Sequence, residues 1–448
     1  MRKSLHGIQD FFLHLEPVKL VFLGYLAYVV IGWLLLCLPF SQHGQGAVVL
    51  DNLFTSTSAV STTGLVTVST SDSYNLFGEI VILLLIQLGG LGYMTVSSFV
   101  ILSRKRDLSE RRADVSNVVF ALPRSFRLDK FIRSAVVFTV VIEGVGAVAL
   151  YAILRAHGMP NAFWSAIFHS VSAFCTAGFS LYNNSFESLA GDFWLNVTLA
   201  ALSYLGAMGF IVCVDVWRRV TNRIKSVTLT TRIILHTTLW LSIVGTLFIF
   251  LTEPSIESKA PAQRLLNAFF QAMTAQTTVG FNTIGIAGLS KATLLAITIL
   301  MVIGASPSGT GGGLKSTTFS AVLGVMRSAL RGERVVTFWG RPIPEERVQT
   351  AVATLGFYVT ALLVGTLLLA LTEAGEFEGI LFEAASALGT VGLSTGITPT
   401  LTELGKIIVV LLMFVGRLGP LTFGMALVFK PSPQPLREEH EHANDVAI

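Results

Sequence analysis

The chain has 448 residues, of which 52% are hydrophobic and 13% charged, with a mean hydropathy of +0.69. Soluble domains carry about a quarter charged residues, so a water-soluble enzyme of this balance would expose large apolar areas. Membrane insertion is the economical reading, and the length fits one polytopic domain with no appended soluble domain. The pI of about 9.0 would suit nucleic acid, but the placement of the bases argues otherwise. Cys37, Cys175 and Cys213 sit in apolar stretches without metal-ligand spacing, so small buried residues are expected rather than a disulfide framework.

Residues 4–16 (SLHGIQDFFLHLE) resemble an interfacial helix, and no cleavable signal peptide is evident. From there the chain is organised by a repeat. Residues 54–64 read FTSTSAVSTTG, and the pattern returns as FHSVSAFCTAG (168–178), FQAMTAQTTVG (270–280) and FEAASALGTVG (382–392). Counting back from the final Gly, all four carry Phe at minus ten, Ser or Thr at minus six, Ala at minus five and Thr at minus two. The glycines lie 114, 102 and 112 residues apart, a long-period internal repeat.

Each repeat reads as a long apolar segment, a short one ending near the Gly, and another long one. The segments are about 19–40, 48–61 and 75–101, then 131–154, 161–175 and 190–217. The third repeat has 231–252 and 263–276 followed by an interrupted pair, 292–303 and 318–330, and the fourth has 348–371, 377–389 and 404–428. Crossing a membrane takes ~20 apolar residues, which the outer segments supply and the middle ones do not. The middle segments therefore fit re-entrant helices, whose non-helical return must be buried in protein or line an aqueous path.

The junctions between repeats hold 19 of the 31 Lys and Arg residues, from Arg104 to Arg133, Arg218 to Arg232 and Arg327 to Arg347. The positive-inside rule makes these junctions cytoplasmic, so the bases serve topology rather than nucleic acid. The short helices then enter from outside and both termini lie inside. The expected organisation is an N-terminus (1–18), repeats at 19–103, 130–218, 230–331 and 347–429, and a cytoplasmic tail (430–448). The fold class is an all-α polytopic membrane protein, its four tandem repeats arranged around a pseudo-fourfold pore.

Four near-equal strips end the short segments: Thr62-Thr63-Gly64, Thr176-Ala177-Gly178, Thr278-Val279-Gly280 and Thr390-Val391-Gly392. Gly has no Cβ to clash when its peptide turns carbonyl oxygens toward an axis. Rings of such carbonyls can replace a cation's water shell, as in filters built on TVGYG. The helix before each strip would aim the negative end of its dipole at the cation. The Thr at minus two offers a hydroxyl to one further site. Glycines that merely permit close packing would not require Thr, Gly and a too-short helix to recur together.

Gly89-x-x-Gly92, Gly206-x-x-Gly209 and Gly416-x-x-Gly419 recur 24 to 28 residues beyond the strips. In the third repeat Gly304 is in place, but Pro307 replaces the second Gly and the chain continues ASPSGTGGGLKSTT (305–318). Pro costs ~3 and each Gly ~1 kcal/mol against Ala in a helix, so Ser306, Pro307, Gly309, Gly311, Gly312 and Gly313 predict a broken helix with a mobile loop. Irregular backbone at that depth should face the pore cavity beneath the strips. The run SGTGGGLKST approximates a phosphate-binding loop, but Leu314 separates Gly313 from Lys315 and no buried strand precedes it.

Four membrane–pore-helix–membrane units with TTGL, TAGF, TVGF and TVGL filters resemble the Trk/Ktr/HKT superfamily of potassium transporters over nearly the whole chain. With no extra helix pair before the first repeat, the resemblance is to the membrane subunit of a bacterial Ktr-type system. It implies K+ bound at the twelve strip residues, and potassium selectivity, since sodium-selective plant relatives carry Ser at the first filter Gly. It also makes 305–318 an intramembrane gate. A homodimer in the bacterial inner membrane, resting on a cytosolic nucleotide-binding (ATP/ADP) ring, is implied too. Sodium stimulates some relatives; no covalent cofactor is expected.

Lys315 and Arg417 lie in apolar surroundings, where a charge should face the bundle interior or water and have a task. Arg417 is expected to hydrogen-bond the 305–318 loop and place positive charge beneath the filter, with snorkelling to the cytoplasmic surface as the alternative. Glu143 is a third intramembrane charge, read as pairing with a neighbouring helix or hydrogen-bonding backbone rather than lining the ion path, and Asp215 reads as an ordinary anchor. His169, Gln271 and Glu383 share the minus-nine column, which leaves an outer-vestibule role open to Glu383. The tail EEHEHAND reads as a solvated terminus. A coupled transporter of another solute would want inverted halves and ionisable groups at its site. A membrane enzyme would need a catalytic set, and His169 and Cys175 do not share a helix face.

Overall fold

The computed structural model describes residues 17–43, 47–92, 128–307, 309–333, 335–419 and 423–424. The expected interfacial helix at 4–16, the end of the first repeat's last segment, most of the first basic junction and the tail lie outside the described residues.

Fourteen helices of eleven or more residues are described. The first repeat contributes α1 (Pro17–Leu36), α2 (Val49–Val60) and α3 (Leu76–Leu91); the second, α4 (Leu128–Ala156), α5 (Ala162–Phe174), α6 (Phe193–Met208) and α7 (Phe210–Val220). The third supplies α8 (Leu229–Thr252), α9 (Pro261–Thr277), α10 (Lys291–Val302) and α11 (Ser316–Arg331), and the fourth α12 (Glu345–Thr372), α13 (Phe377–Gly389) and α14 (Glu403–Leu418). At 1.5 Å per residue, the 29 residues of α4 reach about 43 Å, whereas the 12 of α2 reach about 18 Å. Among the described residues, three helices are long and apolar enough to cross a membrane, within α4, α8 and α12.

Burial runs opposite to that of a water-soluble protein. The spanning helices expose apolar side chains, such as Val141, Val145 and Val148 on α4 or Leu363 and Leu367 on α12. The short helices bury polar ones, such as Asn52, Thr55 and Ser56 on α2 or Asn267, Gln271 and Thr274 on α9. Lipid solvates the first set, and protein must satisfy the second. The column Phe54, Phe168, Phe270 and Phe382 is fully buried and anchors each short helix in the core.

Two expectations require correction. The apolar segment 190–217 was expected to be continuous, but α6 ends at Met208 and α7 leaves at 105°. Gly209 sits at φ 82°, ψ 158°, a conformation only Gly adopts cheaply, so the second Gly of the pair terminates the helix. Gly92 and Gly419 end α3 and α14 with φ of 73° and 85°. A break was thus expected in the third repeat alone, whereas in the others the second Gly ends the helix. Secondly, the basic junction after α11 is not bare coil but forms a small antiparallel hairpin, β1 (Thr337–Phe338) with β2 (Arg341–Pro342), turned through positive φ at Trp339 and Gly340.

Candidate ion pathway and intramembrane loop

The four short helices end the same way. Thr62, Thr176, Thr278 and Thr390 take left-handed φ values of 53°, 51°, 58° and 49°. Their N–H groups donate to the carbonyls of Ala59, Ala173, Ala275 and Ala387, the minus-five column. The next N–H, at minus one, donates to the backbone carbonyl at minus six, completing a double cap on each helix. A non-Gly residue with positive φ is uncommon, and four in register mark a repeated, strained turn.

The minus-six side chains then hold the strip. Ser58 and Ser386 Oγ accept from the N–H of Gly64 and Gly392 at 3.0 and 3.1 Å. Ser172 and Thr274 instead donate to the carbonyls of Phe179 and Phe281 at 2.8 and 2.7 Å. That column was visible in the sequence, but its task was not, because the partners lie at the end of the strip or one residue past it rather than on the helix.

The strips meet in a closed ring. A Cβ added to Gly64 would lie 2.3 Å from the Ala177 carbonyl oxygen, and one on Gly178 2.3 Å from that of Val279. The same construction puts Gly280 2.0 Å from the Val391 oxygen and Gly392 2.2 Å from that of Thr63. Repeats one, two, three and four therefore follow each other around one axis and return to the first. All four glycines also have positive φ, from 66° to 93°, so any side chain there fails on backbone and on space together. They floor a single outer cavity of about 540 Å3, whose walls include Ser180, Asn183, Asn282, Ser394 and Thr398.

The first Gly of each later pair sits behind this ring. A Cβ on Gly89, Gly206 or Gly416 would come within 1.9, 1.8 and 2.1 Å of the carbonyls of Val60, Phe174 and Leu388, all at minus four in the last turn of their short helices. Gly304 departs from this, lying against Gly312 and Gly313 of the loop.

The loop lies directly under the strips. Thr310 Oγ1 is 3.2 Å from Thr176 Oγ1 and donates to the Phe174 carbonyl at 3.0 Å. The N–H of Gly312 donates to Thr278 Oγ1 at 3.1 Å, and a Cβ on Gly312 would lie 2.0 Å from Thr390 Oγ1. Thr62 Oγ1 lies 3.4 Å from the Thr310 carbonyl oxygen. All four minus-two threonines thus meet Thr310 or Gly312. The loop is fastened to α6 by the N–H groups of Ser306 and Thr310, which donate to Ala207 and Gly206, and by the Ser306 hydroxyl on the Met208 carbonyl. Gly309 packs on the Ala207 carbonyl and Gly311 on Thr278, while Pro307 sits at the turn. Thr310 was not singled out in the sequence. Its signal was there: a lone hydroxyl between Gly309 and Gly311.

Arg417 closes the arrangement. Its Nη1 donates to Thr62 Oγ1 at 2.9 Å and to the Thr310 carbonyl, and its Nη2 donates to the Gly89 carbonyl. Lys315 Nζ donates to the Gly311 carbonyl at 2.7 Å. Of the remaining charges, Glu143 approaches Cys175 Sγ at 3.7 Å, and Asp215 accepts from the N–H of Thr228 at 2.7 Å. His169 bonds Ser165, Ser180 and the N–H of Leu181, so the structure keeps it apart from Cys175 in its bonding. Among the described residues no three His, Cys, Asp or Glu side chains group as a metal site.

A lipid-facing helical bundle around a ring of backbone oxygens defines a multi-pass membrane protein of the cation-transporting class. The chain belongs to the TrkH cation transport protein family, matched over residues 29–437, and that family consists of transporters rather than enzymes. It is 35% identical over 93% of its length to the Ktr system potassium uptake protein B of Vibrio alginolyticus, covering 92% of that protein. It is 34% identical to the potassium/sodium uptake protein NtpJ of Enterococcus hirae, over 93% of this chain and 94% of that one. The crystal structure of the potassium transporter TrkH from Vibrio parahaemolyticus shares the fold, with a TM-score of 0.70 at 20% identity over 90% of this chain and 84% of that one.

Proposed function

We propose that this chain carries potassium into a bacterial cell across the inner membrane, with Thr62 to Gly64, Thr176 to Gly178, Thr278 to Gly280 and Thr390 to Gly392 as the selectivity filter. The observation that carries the reading is the closed cycle in which each filter Gly meets the carbonyl of the next strip. A ring of peptide oxygens replaces water around a bare cation without placing a fixed charge in its path. The two potassium-uptake relatives named above support the choice of ion.

The 305–318 loop is the gate, and the arrangement described is its closed position. Three of the four minus-two hydroxyls are held by Thr310, Gly312 and Arg417, and Gly312 packs against the fourth, Thr390, so a descending ion meets a plug and a guanidinium. Two unit charges about 8 Å apart interact by about 2 kcal/mol at an effective dielectric of about 20. That disfavours a cation beneath the filter roughly thirty-fold until the loop and Arg417 withdraw. Both termini are cytoplasmic. A homodimer on a cytosolic nucleotide-binding ring drives the withdrawal, a reading supported by the Ktr-system name of the Vibrio alginolyticus relative.

The test is potassium-limited growth of an uptake-deficient bacterium expressing this chain with a regulatory subunit, alongside Gly280→Ser. Rescue by the wild type and loss of potassium affinity in the variant are expected. Failure of the wild type overturns transport, and unchanged affinity in Gly280→Ser overturns the filter. Sodium is included as a second cation, because one relative is named for both ions.

A further inference from the structure

The minus-nine column of the short helices performs one structural task in four chemical forms. Thr55, His169, Gln271 and Glu383 are all fully or almost fully buried. His169 Nε2 lies 3.0 Å from Ser180 Oγ and accepts the N–H of Leu181 at 3.2 Å. Gln271, with its amide oriented to satisfy both ends, accepts the N–H groups of Thr283 and Ile284 at 3.2 Å. Thr55 Oγ1 accepts from the Tyr74 hydroxyl at 3.2 Å. In each repeat the side chain ties the short helix to the segment that follows the filter.

Glu383 is tied to that segment twice. The Ser394 hydroxyl donates to Oε2 at 2.9 Å, and the Thr398 hydroxyl donates to Oε1. Ser394 Oγ in turn accepts the N–H of Gly396 at 3.0 Å. Ser394 and Thr398 both line the outer cavity floored by the four filter glycines. Gln271 braces its own repeat with an uncharged amide, so bracing by itself does not require a carboxylate. A buried acid is costly where an amide would serve. Its place directly behind Ser394 and Thr398, which line the cation's entry cavity, points to the charge.

We propose that Glu383 is a positioning residue for the outermost cation site. Through Ser394 and Thr398 it fixes the strand leaving Gly392, and its carboxylate raises cation occupancy at the mouth of the filter. The inference rests on the filter reading above and deepens it. The field of a carboxylate one hydroxyl removed from the cavity adds to that of Glu187, which lines it, and acts on a dehydrating ion before it enters the carbonyl ring, whose strips carry no charged side chain.

The test is tracer rubidium and potassium uptake by the full chain with its regulatory subunit in an uptake-deficient strain. The variants are Glu383→Gln, Glu383→Ala, the pair Ser394→Ala with Thr398→Val, and Gly392→Ser. Glu383→Gln keeps the shape and can still bond both hydroxyls, so it isolates the charge. The expected result is a KM for potassium raised about ten-fold, equivalent to about 1.4 kcal/mol, with maximal velocity within two-fold of wild type. Glu383→Ala and the hydroxyl pair are expected to lose potassium-over-sodium preference as well, because the brace goes too. If Glu383→Ala does not accumulate, Glu383→Gln decides. A wild-type KM in Glu383→Gln, or a lower velocity at unchanged KM, overturns the inference while Gly392→Ser still abolishes potassium preference. If Gly392→Ser itself leaves preference intact, the filter reading has failed instead.

Discussion

Arg417 Nη1 donates to Thr62 Oγ1 at 2.9 Å, joining the last helix of the fourth repeat to the Thr62–Gly64 strip of the first. The same guanidinium holds the Thr310 carbonyl of the loop and the Gly89 carbonyl of α3. One side chain therefore ties together the strip, the loop and the packing glycine behind them. Hydrogen bonds to a charged group contribute about 1.5–3 kcal/mol each, so the loop's position depends heavily on this residue.

Replacing Arg417 by Gln shortens the donor and removes the charge beneath the filter. Potassium flux measured without the regulatory subunit is expected to rise several-fold. A fall in that basal flux with normal protein levels counts against Arg417 as part of a closed gate.

Gly312 has no room for a Cβ, which would lie 2.0 Å from Thr390 Oγ1 and 2.6 Å from the Gly389 carbonyl oxygen. Gly312→Ala should push the loop off the strip and raise basal flux, as should deletion of residues 306–313. Flux at or below the wild-type level in both variants would refute the loop as a plug.

Gly206→Ala acts on the packing behind the strip and on the loop fastened there, since its Cβ would also lie 2.9 Å from Thr310 Oγ1. Its methyl would meet the Phe174 carbonyl at 1.8 Å, and backbone cannot yield as a side chain can. Overpacking of this kind costs about 1–3 kcal/mol. The melting temperature in detergent should drop by several degrees, whereas Gly144→Ala, with open space around its Cβ position, should melt like wild type.

Ser58→Ala and Ser386→Ala each remove the acceptor of a filter N–H. A lost hydrogen bond of about 1 kcal/mol at the ring should weaken potassium-over-sodium discrimination roughly five-fold in competition uptake. Equal discrimination in wild type and double variant would show that the strips hold their shape unaided.

At the N-terminal end of α6, Asp192 caps the helix through the N–H of Leu195 at 2.6 Å and pairs with His157 at 2.7 Å. Partial burial pushes its carboxyl up, but the Leu195 N–H and the His157 imidazole outweigh this and hold it below the ordinary value of 3.8. A depressed carboxylate stabilises the fold above its unfolded value, and that contribution is lost as pH falls through the folded one. The melting temperatures of wild type and Asp192→Asn should differ near neutral pH, begin to approach each other near pH 3.8 and converge only once pH falls below the depressed folded value. A constant gap across that window would assign the effect to something other than this cap.

The sequence by itself determined everything that depends on local backbone preference and on solvent. Its four Phe-to-Gly windows, the short polar helices between long apolar ones and the Pro and Gly of residues 304–313 state where helix can run and where it must stop. Even there, Gly92, Gly209 and Gly419 read equally well as packing residues, because a Gly that ends a helix and one that lets helices touch look the same in a string. What only the tertiary structure decided is adjacency. The cyclic order in which Gly64 meets Ala177 and Gly392 returns to Thr63, and the reach of Arg417 across 355 residues to Thr62, join positions whose separation along the chain carries no trace of the contact. Those pairings are set by the packing of whole repeats around an axis, where close approach of backbone to backbone selects Gly and a buried guanidinium takes whatever carbonyls the packing leaves within its span.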